Sequence, residues 1–531
     1  MRTRPWQDRP TSGDGLFDTL AVRRPETAPV RRTALRTAPP VPEALVMSGL
    51  SELHGVFDHA VDPADPAELL RLFVGDVESS APPIGRFGRH RREWAAATLR
   101  RRLPHARLLA QPAMPQLVKS VFDFYFRDDL YGHWDQRSPI VLSSGSYDET
   151  LFGLPESLKN CIRYALNNNW YGYSDSLGRT SAREALALLE TARSGGQLSI
   201  GADRVAVTLG GTAALASIVD LLTGAGRSDD RPALCGIPNY PPLVAAVARR
   251  MAVRCVDTPI AERHTDITPL IEQARGGARL ILLQTVTNPS GLRVPESQLA
   301  ELIAAAPADC VIVLDECHDT FGPAVALTPA RMAANVISIR SISKRWGAPG
   351  LKAGWLVAAP EFIDEFYVHA STTYGGPPSL FYLLLEMLGL FEAARFGGGL
   401  DVDDLLGRLS GDYRLNRGTL AAGFADYART ADLMARRVLR CRERAVDALG
   451  DMGVPVLAPD YSINLLARLG DEPSYLTYRR VVEEAGVSVY PGLLCMAGGP
   501  GLVRLSPCVP EQVLDEAMAR LGRWVGRRSW S

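Results

Sequence analysis

Lysine is scarce in this chain of 531 residues, which has four lysines against 54 arginines. Two of the lysines, Lys344 and Lys352, lie only eight positions apart. A primary amine can condense with an aldehyde to form a Schiff base, whereas a guanidinium cannot. Since nearly every other basic position is arginine, we expect Lys344, in the motif Ser341-Ile342-Ser343-Lys344, to be kept for covalent chemistry.

Paired cysteines and long apolar runs are also missing. The eight cysteines are dispersed without a C-x-x-C pair, which argues against a disulfide framework or a thiolate zinc site and fits a reducing cytosol. No apolar run approaches the roughly 20 residues of a membrane span, and Met1–Pro5 does not begin a secretory signal. With a net charge of -1, the composition favours neither nucleic acid nor membrane partners. We therefore expect a globular cytoplasmic protein.

The N-terminal quarter of the chain differs from the rest. Residues 1–42 are rich in Arg, Pro, Thr and Ala without periodicity, which predicts a disordered tail. Residues 43–135 show helical patterns and predict a helical N-terminal extension. Within it, residues 86–107 contain eight arginines and one acid, Glu93. This stretch predicts a solvated helix face or, alternatively, a docking surface for an anionic ligand or a partner subunit.

From Ile140 onwards, short apolar runs alternate with helical stretches. Continuous apolar runs separated by helices predict a mainly parallel sheet that is covered on both faces. The five runs are Val205–Thr208, Ala233–Gly236, Leu280–Leu283, Val311–Leu314 and Val336–Ile339. After Gly397–Gly399, an amphipathic helix around residues 428–450 and a strand-rich end predict a second, smaller domain.

Chemically suggestive motifs follow these runs. Small residues that enter a helix, as in Gly210-Gly211-Thr212, offer backbone amides to a phosphate. A carboxylate at the end of a buried strand, as at Asp315, requires a cation, and a pyridinium nitrogen is a suitable one. A lysine in the cleft at the carboxyl ends of the strands has a lowered pKa, which suits imine formation and proton transfer.

The order of these motifs is more specific than any one of them. Gly-Gly-Thr, Pro-x-Tyr, Asn-Pro-x-Gly, Asp-Glu, Ser-x-Ser-Lys and a late arginine occur in that sequence. Over roughly residues 140–525 the chain resembles the class I/II aminotransferase branch of fold-type I enzymes, which use pyridoxal 5'-phosphate (PLP) and are typified by aspartate aminotransferase. The resemblance implies an α/β fold with a mainly parallel seven-stranded sheet in a large domain, together with a smaller α+β C-terminal domain. The implied divisions are residues 136–190 (the start of the small domain and a hinge), 191–395 (the large PLP-binding domain) and 396–531 (the C-terminal small domain).

The same resemblance assigns roles to individual residues. It implies that Lys344 forms the Schiff base and moves protons, that Asp315 holds the pyridine nitrogen and that Asn288 donates to the phenolic oxygen of PLP. Tyr240 corresponds to the tyrosine that stacks on the ring. The implied phosphate-binding residues are Gly210, Gly211, Thr212, Ser341 and Ser343.

Three further residues are assigned in this way. Tyr173 corresponds to a tyrosine that reaches the phosphate of the neighbouring subunit, which implies a homodimer. Arg504, in Val503-Arg504-Leu505-Ser506, corresponds to the arginine that binds the substrate's α-carboxylate with its guanidinium fork. Gly145 is expected in a strand that covers the substrate.

Two positions depart from the family's pattern. His318 stands where a tyrosine usually binds the phenolic oxygen, and Lys352 stands where an arginine usually holds the phosphate. His318 either adds a group that titrates near neutrality or simply replaces the hydrogen bond. Lys352 offers a point charge in place of a bidentate fork. These departures raise the question of whether the enzyme is a plain transaminase.

The resemblance implies a PLP-dependent transferase that acts on an amino acid through an external aldimine and a quinonoid, most often as an aminotransferase. The alternative is elimination or replacement at the β- or γ-carbon, for example on S-adenosylmethionine, joined to an anionic second substrate. In dicarboxylate-specific members of the family that the chain resembles, the partner subunit supplies a side-chain-binding arginine from the region that corresponds to residues 366–378. This chain has no arginine there, so the resemblance disfavours aspartate or glutamate as the substrate. A remote alternative is a transcription regulator that fuses a winged helix-turn-helix to an aminotransferase-like domain, but residues 43–135 show no clear helix-turn-helix spacing.

Overall fold

The structure is a computed structural model that describes residues 15–20, 40–45, 47, 50–80, 105–134, 139–224, 230–397, 399–409 and 413–527. Most of the predicted tail 1–42 and of the basic stretch 86–107 therefore lies outside the described residues. Among the helices of the described residues, none has the length and apolar character needed to cross a bilayer.

The strands of the described residues belong to one large sheet and several small ones. In chain order they are β1 (Ile140–Val141), β2 (Val205–Thr208), β3 (Ala233–Ile237), β4 (Val253–Asp257), β5 (Ile260–Ala261), β6 (His264–Thr265), β7 (Leu280–Gln284), β8 (Val311–Asp315), β9 (Val336–Ser341), β10 (Gly354–Val357), β11 (Val456–Leu457), β12 (Leu465–Arg468), β13 (Val487–Ser488), β14 (Tyr490–Pro491) and β15 (Leu502–Leu505). The large sheet has the strand order β2-β10-β9-β8-β7-β3-β4.

The α-helices of the described residues are, in chain order, α1 (His54–His59), α2 (Pro66–Ser79), α3 (His105–Leu109), α4 (Met114–Phe124), α5 (Glu149–Phe152), α6 (Glu156–Asn167), α7 (Thr180–Arg193), α8 (Gly211–Thr223), α9 (Pro241–Ala248), α10 (Thr268–Ala274), α11 (Glu296–Ala305), α12 (Pro360–Thr373), α13 (Tyr382–Arg395), α14 (Val402–Arg408), α15 (Arg417–Asp451), α16 (Ser474–Ala485) and α17 (Glu511–Gly526). A π-helix, Tyr125–His133, continues directly from α4. The helix predicted around residues 428–450 is thus confirmed, but it begins 11 residues earlier, at Arg417.

The large sheet confirms the mainly parallel seven-stranded prediction. Strands β3, β4, β7 and β8 pair in parallel, whereas β10 is antiparallel to both β2 and β9. Every residue of β3 and β7 is buried, as expected for strands covered on both faces. All five strands predicted from apolar runs are present, and β4 and β10 are the two that the prediction lacked.

The chain divides into two compact units, which are described separately below. The first unit comprises residues 1–38, 152–225 and 323–438, and the second comprises residues 39–151, 226–322 and 439–531. The domain boundaries inferred from the sequence stay a prediction.

In the first unit, α13 packs closely against α7. A Cβ atom added at Gly389 would lie 2.6 Å from the carbonyl carbon of Ala185, so glycine at this position permits the close approach of the two helices. The contact fixes α13. This helix carries Glu392, which accepts hydrogen bonds from Arg345 in the turn that contains Lys344.

In the second unit, the start of the N-terminal extension is part of the core. Leu45 is fully buried, in one cluster with Leu292, Leu457, Leu466 and Leu502. Burial of such a leucine contributes about 1.5–3 kcal/mol. The start of the extension is therefore packed into the second unit through the same leucine cluster that includes residues of β11, β12 and β15.

Glu52 attaches the extension to α16. Its carboxylate accepts a hydrogen bond of 3.1 Å from the hydroxyl of Ser474, the first residue of α16. Burial raises the pKa of Glu52 to about 7, although hydrogen bonds from Ser474 and Tyr475 act in the opposite direction. The carboxyl group is thus protonated more readily in the folded chain than in the unfolded one.

We expect a pH-dependent stability term from Glu52. A raised folded-state pKa makes this contribution complete below pH 4.5, the unperturbed value, and removes it as the pH rises through about 7. Across that window the difference in unfolding free energy between wild type and Glu52→Gln should fall by about 3 kcal/mol. Urea titrations at both ends of the window measure this difference, and parallel pH profiles for the two proteins would contradict the prediction.

Candidate active site

Three segments that contain predicted phosphate-binding residues lie side by side in the first unit. A Cβ atom added at Gly354 would lie 3.1 Å from the Cα of Gly210 and 3.4 Å from the Cα of Ser341. A Cβ atom added at Gly210 would lie 3.8 Å from the carbonyl carbon of Lys352. The structure thus brings together the turn before α8, the end of β9 and the loop before β10.

The groups on these segments are hydrogen-bond donors and one cation. Gly210 has a φ of 86°, which favours glycine, and α8 begins directly after it, so the first amides of α8 lack intrahelical acceptors. The hydroxyls of Ser341 and Ser343 lie 2.7 Å apart. We define the donor cluster as Gly210, Gly211, Thr212, Ser341, Ser343 and Lys352. An exposed lysine with hydroxyl and amide donors fits a phosphate dianion.

Lys344 lies in a turn that the next two residues hold in place. Arg345 donates to the carboxylate of Glu392 on α13 at 3.1 and 3.2 Å, and the hydroxyl of Tyr427 donates to the same oxygen at 2.7 Å. The ring of Trp346 packs 5.2 Å from that of Tyr427. Burial raises the pKa of Glu392, but the positive charge of Arg345 contributes to a net lowering, so the carboxylate stays ionised. The backbone at Lys344 is therefore anchored to two helices.

In the second unit, Asp315 ends β8 as a buried carboxylate. It accepts hydrogen bonds of 3.0 Å from the side chain of Gln284 and from the amide of Cys317. Gln284 is the register partner of Asp315 on β7, and its side-chain oxygen accepts from the amide of Asn288 at 3.3 Å. Gln284, which the sequence did not reveal, therefore connects Asp315 to Asn288.

Arg504 on β15 is buried in the second unit and makes contacts in several directions. Its Nη2 donates to the carbonyl of Ser143 at 2.9 Å and its Nη1 to the side-chain oxygen of Asn288 at 3.3 Å. The guanidinium carbon lies 3.8 Å from the centre of the Tyr490 ring. Its Nε is buried and has no hydrogen-bond partner among the described residues. An unsatisfied buried donor on a fixed arginine fits a carboxylate ligand.

Two residues that the sequence analysis did not single out complete this network. Asn464 donates to the side-chain oxygen of Asn288 at 3.2 Å, and Ser506 donates to Asn464 at 2.8 Å. The amide of Gly145 donates to Ser506 at 3.0 Å. Ser506 could have been found from its place two residues after Arg504, whereas no sequence signal marks Asn464.

The prediction that Gly145 lies in a strand is wrong. Strand β1 ends at Val141, and Gly145 has a φ of 62°, which a strand does not adopt. A Cβ atom here would lie 2.7 Å from Nη2 of Arg504. Glycine is therefore needed at position 145 because the guanidinium of Arg504 occupies the adjacent space.

The remaining predicted residues have contrasting environments. His318 is buried, and its Nδ1 lies 2.6 Å from the hydroxyl of Ser462. Tyr240 precedes α9, and burial raises the pKa of its hydroxyl while the charge of Arg504 acts in the opposite direction. Tyr173 is 96 % exposed in the single chain, which is unusual for a large aromatic side chain.

Comparison with known proteins finds similarity to aminotransferases. Residues 137–394 match the family described as aminotransferase class I and II. A histidinol-phosphate aminotransferase of Erythrobacter litoralis is 31 % identical over 126 residues, which are 22 % of this chain and 33 % of the relative. A valine–pyruvate aminotransferase of Mycobacterium tuberculosis is 23 % identical, over 70 % of this chain and 88 % of its own length. The chain spans about a third of the length of three histidinol-phosphate aminotransferases and 60 % of the length of a fourth, from Ruegeria pomeroyi.

A solved structure extends the likeness over most of the chain. The aspartate aminotransferase from Thermus thermophilus with maleate has a TM-score of 0.60 and 22 % identity, and the match covers 80 % of this chain and 99 % of the other. At that identity the likeness concerns the fold. Residues 137–394 thus match the class I and II aminotransferase family, and the likeness to the solved structure shows that the chain has the fold-type I architecture of these enzymes.

Proposed function

We infer that this chain is a PLP-dependent transferase that acts at the α-carbon of an amino acid and catalyses amino transfer. The observation that carries this proposal is that Lys344, one of four lysines, shares a turn with Ser343 of the donor cluster. An amine held beside phosphate-binding donors is the arrangement that attachment of PLP requires. The match of residues 137–394 to the class I and II aminotransferases supports amino transfer.

Each group then has a defined task. PLP, when bound, supplies an electron sink for the charge that develops at the α-carbon. The donor cluster binds the phosphate, and Asp315 keeps the ring nitrogen protonated. Lys344 takes the proton from the α-carbon at Nζ and holds it there for the second proton transfer that completes amino transfer. Arg504 binds the α-carboxylate through Nε and so orients the bond to be broken.

Tyr173 supports a homodimer as part of this proposal. A tyrosine exposed over 96 % of its surface gains from burial against a second copy, where its hydroxyl would reach the partner's phosphate site. The dispersed cysteines support a cytoplasmic location.

A product screen tests the function and separates it from its alternative. Purified protein is incubated with PLP and a panel of amino acids that includes S-adenosylmethionine, and the products are followed by mass spectrometry. Appearance of the amine form of the cofactor together with a keto acid is the expected result. Release of a leaving group with PLP unchanged would instead favour elimination or replacement. His318 and Lys352, the two departures from the pattern of the aminotransferases, are the residues that motivate this alternative. A protein that binds no PLP would contradict both readings.

A further inference from the structure

The N-terminal extension presents one face of a helix to residues of the candidate active site. Lys119, Phe122, Asp123 and Phe126 follow one another at intervals of three, one and three residues along α4 and the π-helix, so their side chains share a face. All four are partly buried, whereas the neighbouring Val121 and Tyr125 are fully buried. This face belongs to the second unit, as do Tyr240 and Arg504.

Phe122 packs directly on Tyr240. The two ring centres are 5.7 Å apart and the planes meet at 77°, an edge-to-face pair. The Nζ of Lys119 lies 5.4 Å from the centre of the Phe122 ring and 2.6 Å from the carboxylate of Asp123. The ring of Phe122 is thus fixed by its own helix and in turn limits the rotation of Tyr240.

The next turn of the extension supports Arg504 in the same way. The rings of Tyr125 and Phe126 lie 5.3 and 6.1 Å from that of Tyr490, and Arg504 stacks on Tyr490. Tyr240, which is assigned to the cofactor, therefore packs on an aromatic ring of the extension. Arg504, which is assigned to the substrate, packs on Tyr490, whose ring the extension contacts. An independent appended domain would not show such contacts.

We propose that Phe122 is a positioning residue for Tyr240, and that the extension thereby forms part of the PLP-binding machinery. The inference rests on the proposed function, because it takes Tyr240 as the residue that stacks on the cofactor ring. Phe122 itself does not touch the reacting atoms. Its effect reaches the cofactor only through the orientation of Tyr240.

Phe124 provides a matched control on the same helix. It is also partly buried, but its ring stacks on Tyr475 at 6.3 Å and makes no ring contact with Tyr240 or Tyr490 among the described residues. Phe122→Leu and Phe124→Leu therefore remove the same aromatic ring two positions apart. If the loss of a ring weakens PLP binding only by destabilising the fold, PLP binding should weaken in both variants.

The experiment measures the dissociation constant of PLP by titration into full-length apoprotein, together with the visible absorption band of bound PLP and its pH dependence. We expect Phe122→Leu to raise the dissociation constant about 2- to 10-fold, the size of an edge-to-face pair, and to shift the band. Phe124→Leu should lower the urea midpoint and leave PLP binding unchanged. Phe122→Met replaces the leucine variant if the latter is insoluble.

A double-mutant cycle with Tyr240→Leu tests the route of the effect. If Phe122 acts through Tyr240, the double variant should bind PLP no more weakly than Tyr240→Leu alone. Additive losses, or equal losses in the Phe122 and Phe124 variants, would overturn the inference while leaving the proposed function intact. A wild-type protein that binds no PLP would overturn the proposed function and this inference with it.

Discussion

Lys344→Ala should abolish covalent retention of PLP and lower turnover of amino-acid substrates by on the order of 10⁴-fold, the upper range for a positioned acid–base group. The loss combines two roles of one amine, attachment of the cofactor and transfer of the α-proton. Borohydride reduction followed by intact-mass measurement detects the attached cofactor. Steady-state kinetics measure the turnover.

Lys159→Ala is the matched control. The Nζ of Lys159 lies 3.6 Å from the carboxylate of Glu156 on the surface of α6, and such an exposed pair contributes little. Retention of PLP and turnover should therefore be unchanged in this variant. Peptide mass spectrometry can assign the label unambiguously, because the chain has only four lysines. A label on Lys352 or Lys159 in the wild type would refute the assignment to Lys344.

The variant at position 344 should remain folded, because the two residues that follow it anchor the turn. Arg345 binds Glu392 and Trp346 packs on Tyr427, so the anchoring contacts come from the residues that follow Lys344. Loss of PLP retention with an unchanged urea midpoint would therefore separate a chemical role from a structural one.

The sequence predicts the fold where burial alone determines the pattern. Strands β3 and β7 are continuous apolar runs because both faces are covered. Strand β4 escaped prediction because it includes the exposed Arg254, as an edge strand can. Strand β10 escaped because it begins at Gly354, whose missing side chain allows the close approach to Gly210.

Residues of the candidate site were predictable when they belong to local motifs. Asp315 ends a strand, and Asn288 and Lys344 each follow one, in a recognisable order. Gln284 and Asn464 could not be found this way, because their roles arise from contacts with residues distant in the chain: Asn464 meets Asn288 across 176 positions. Such pairs are set by tertiary packing, which single-sequence patterns do not encode.

The two departures from the family's pattern have different surroundings. His318 is buried and paired with Ser462, whose own φ of 65° places it in the left-handed region. Lys352 is exposed with a φ of 50°, so its side chain extends from a backbone conformation that L residues rarely adopt. His318 is thus held by the protein, whereas Lys352 keeps its donors available for an anion.

Replacing Arg504 with lysine should raise KM for the amino-acid substrate by about 10- to 100-fold, the loss of one hydrogen bond to a charged group. Lysine keeps the positive charge but lacks the Nε donor and the planar fork that stacks on Tyr490. The dissociation constant of PLP should change little, because the contacts of Arg504 are assigned to the substrate. Kinetics over a range of substrate concentrations, with PLP titrations in parallel, separate the two effects.

Arg479→Lys provides the comparison for a merely structural arginine. Arg479 belongs to the same unit, lies 3.5 Å from the carboxylate of Asp129 and packs over the ring of Trp134 at 5.8 Å. It therefore shares with Arg504 the cation–π contact and a buried Nε without a hydrogen-bond partner, but it has no bond to Asn288 among the described residues. Its replacement should lower the urea midpoint and leave KM unchanged. If Arg504→Lys behaves in the same way, then Arg504 supports the packing of the second unit and another residue must bind the α-carboxylate.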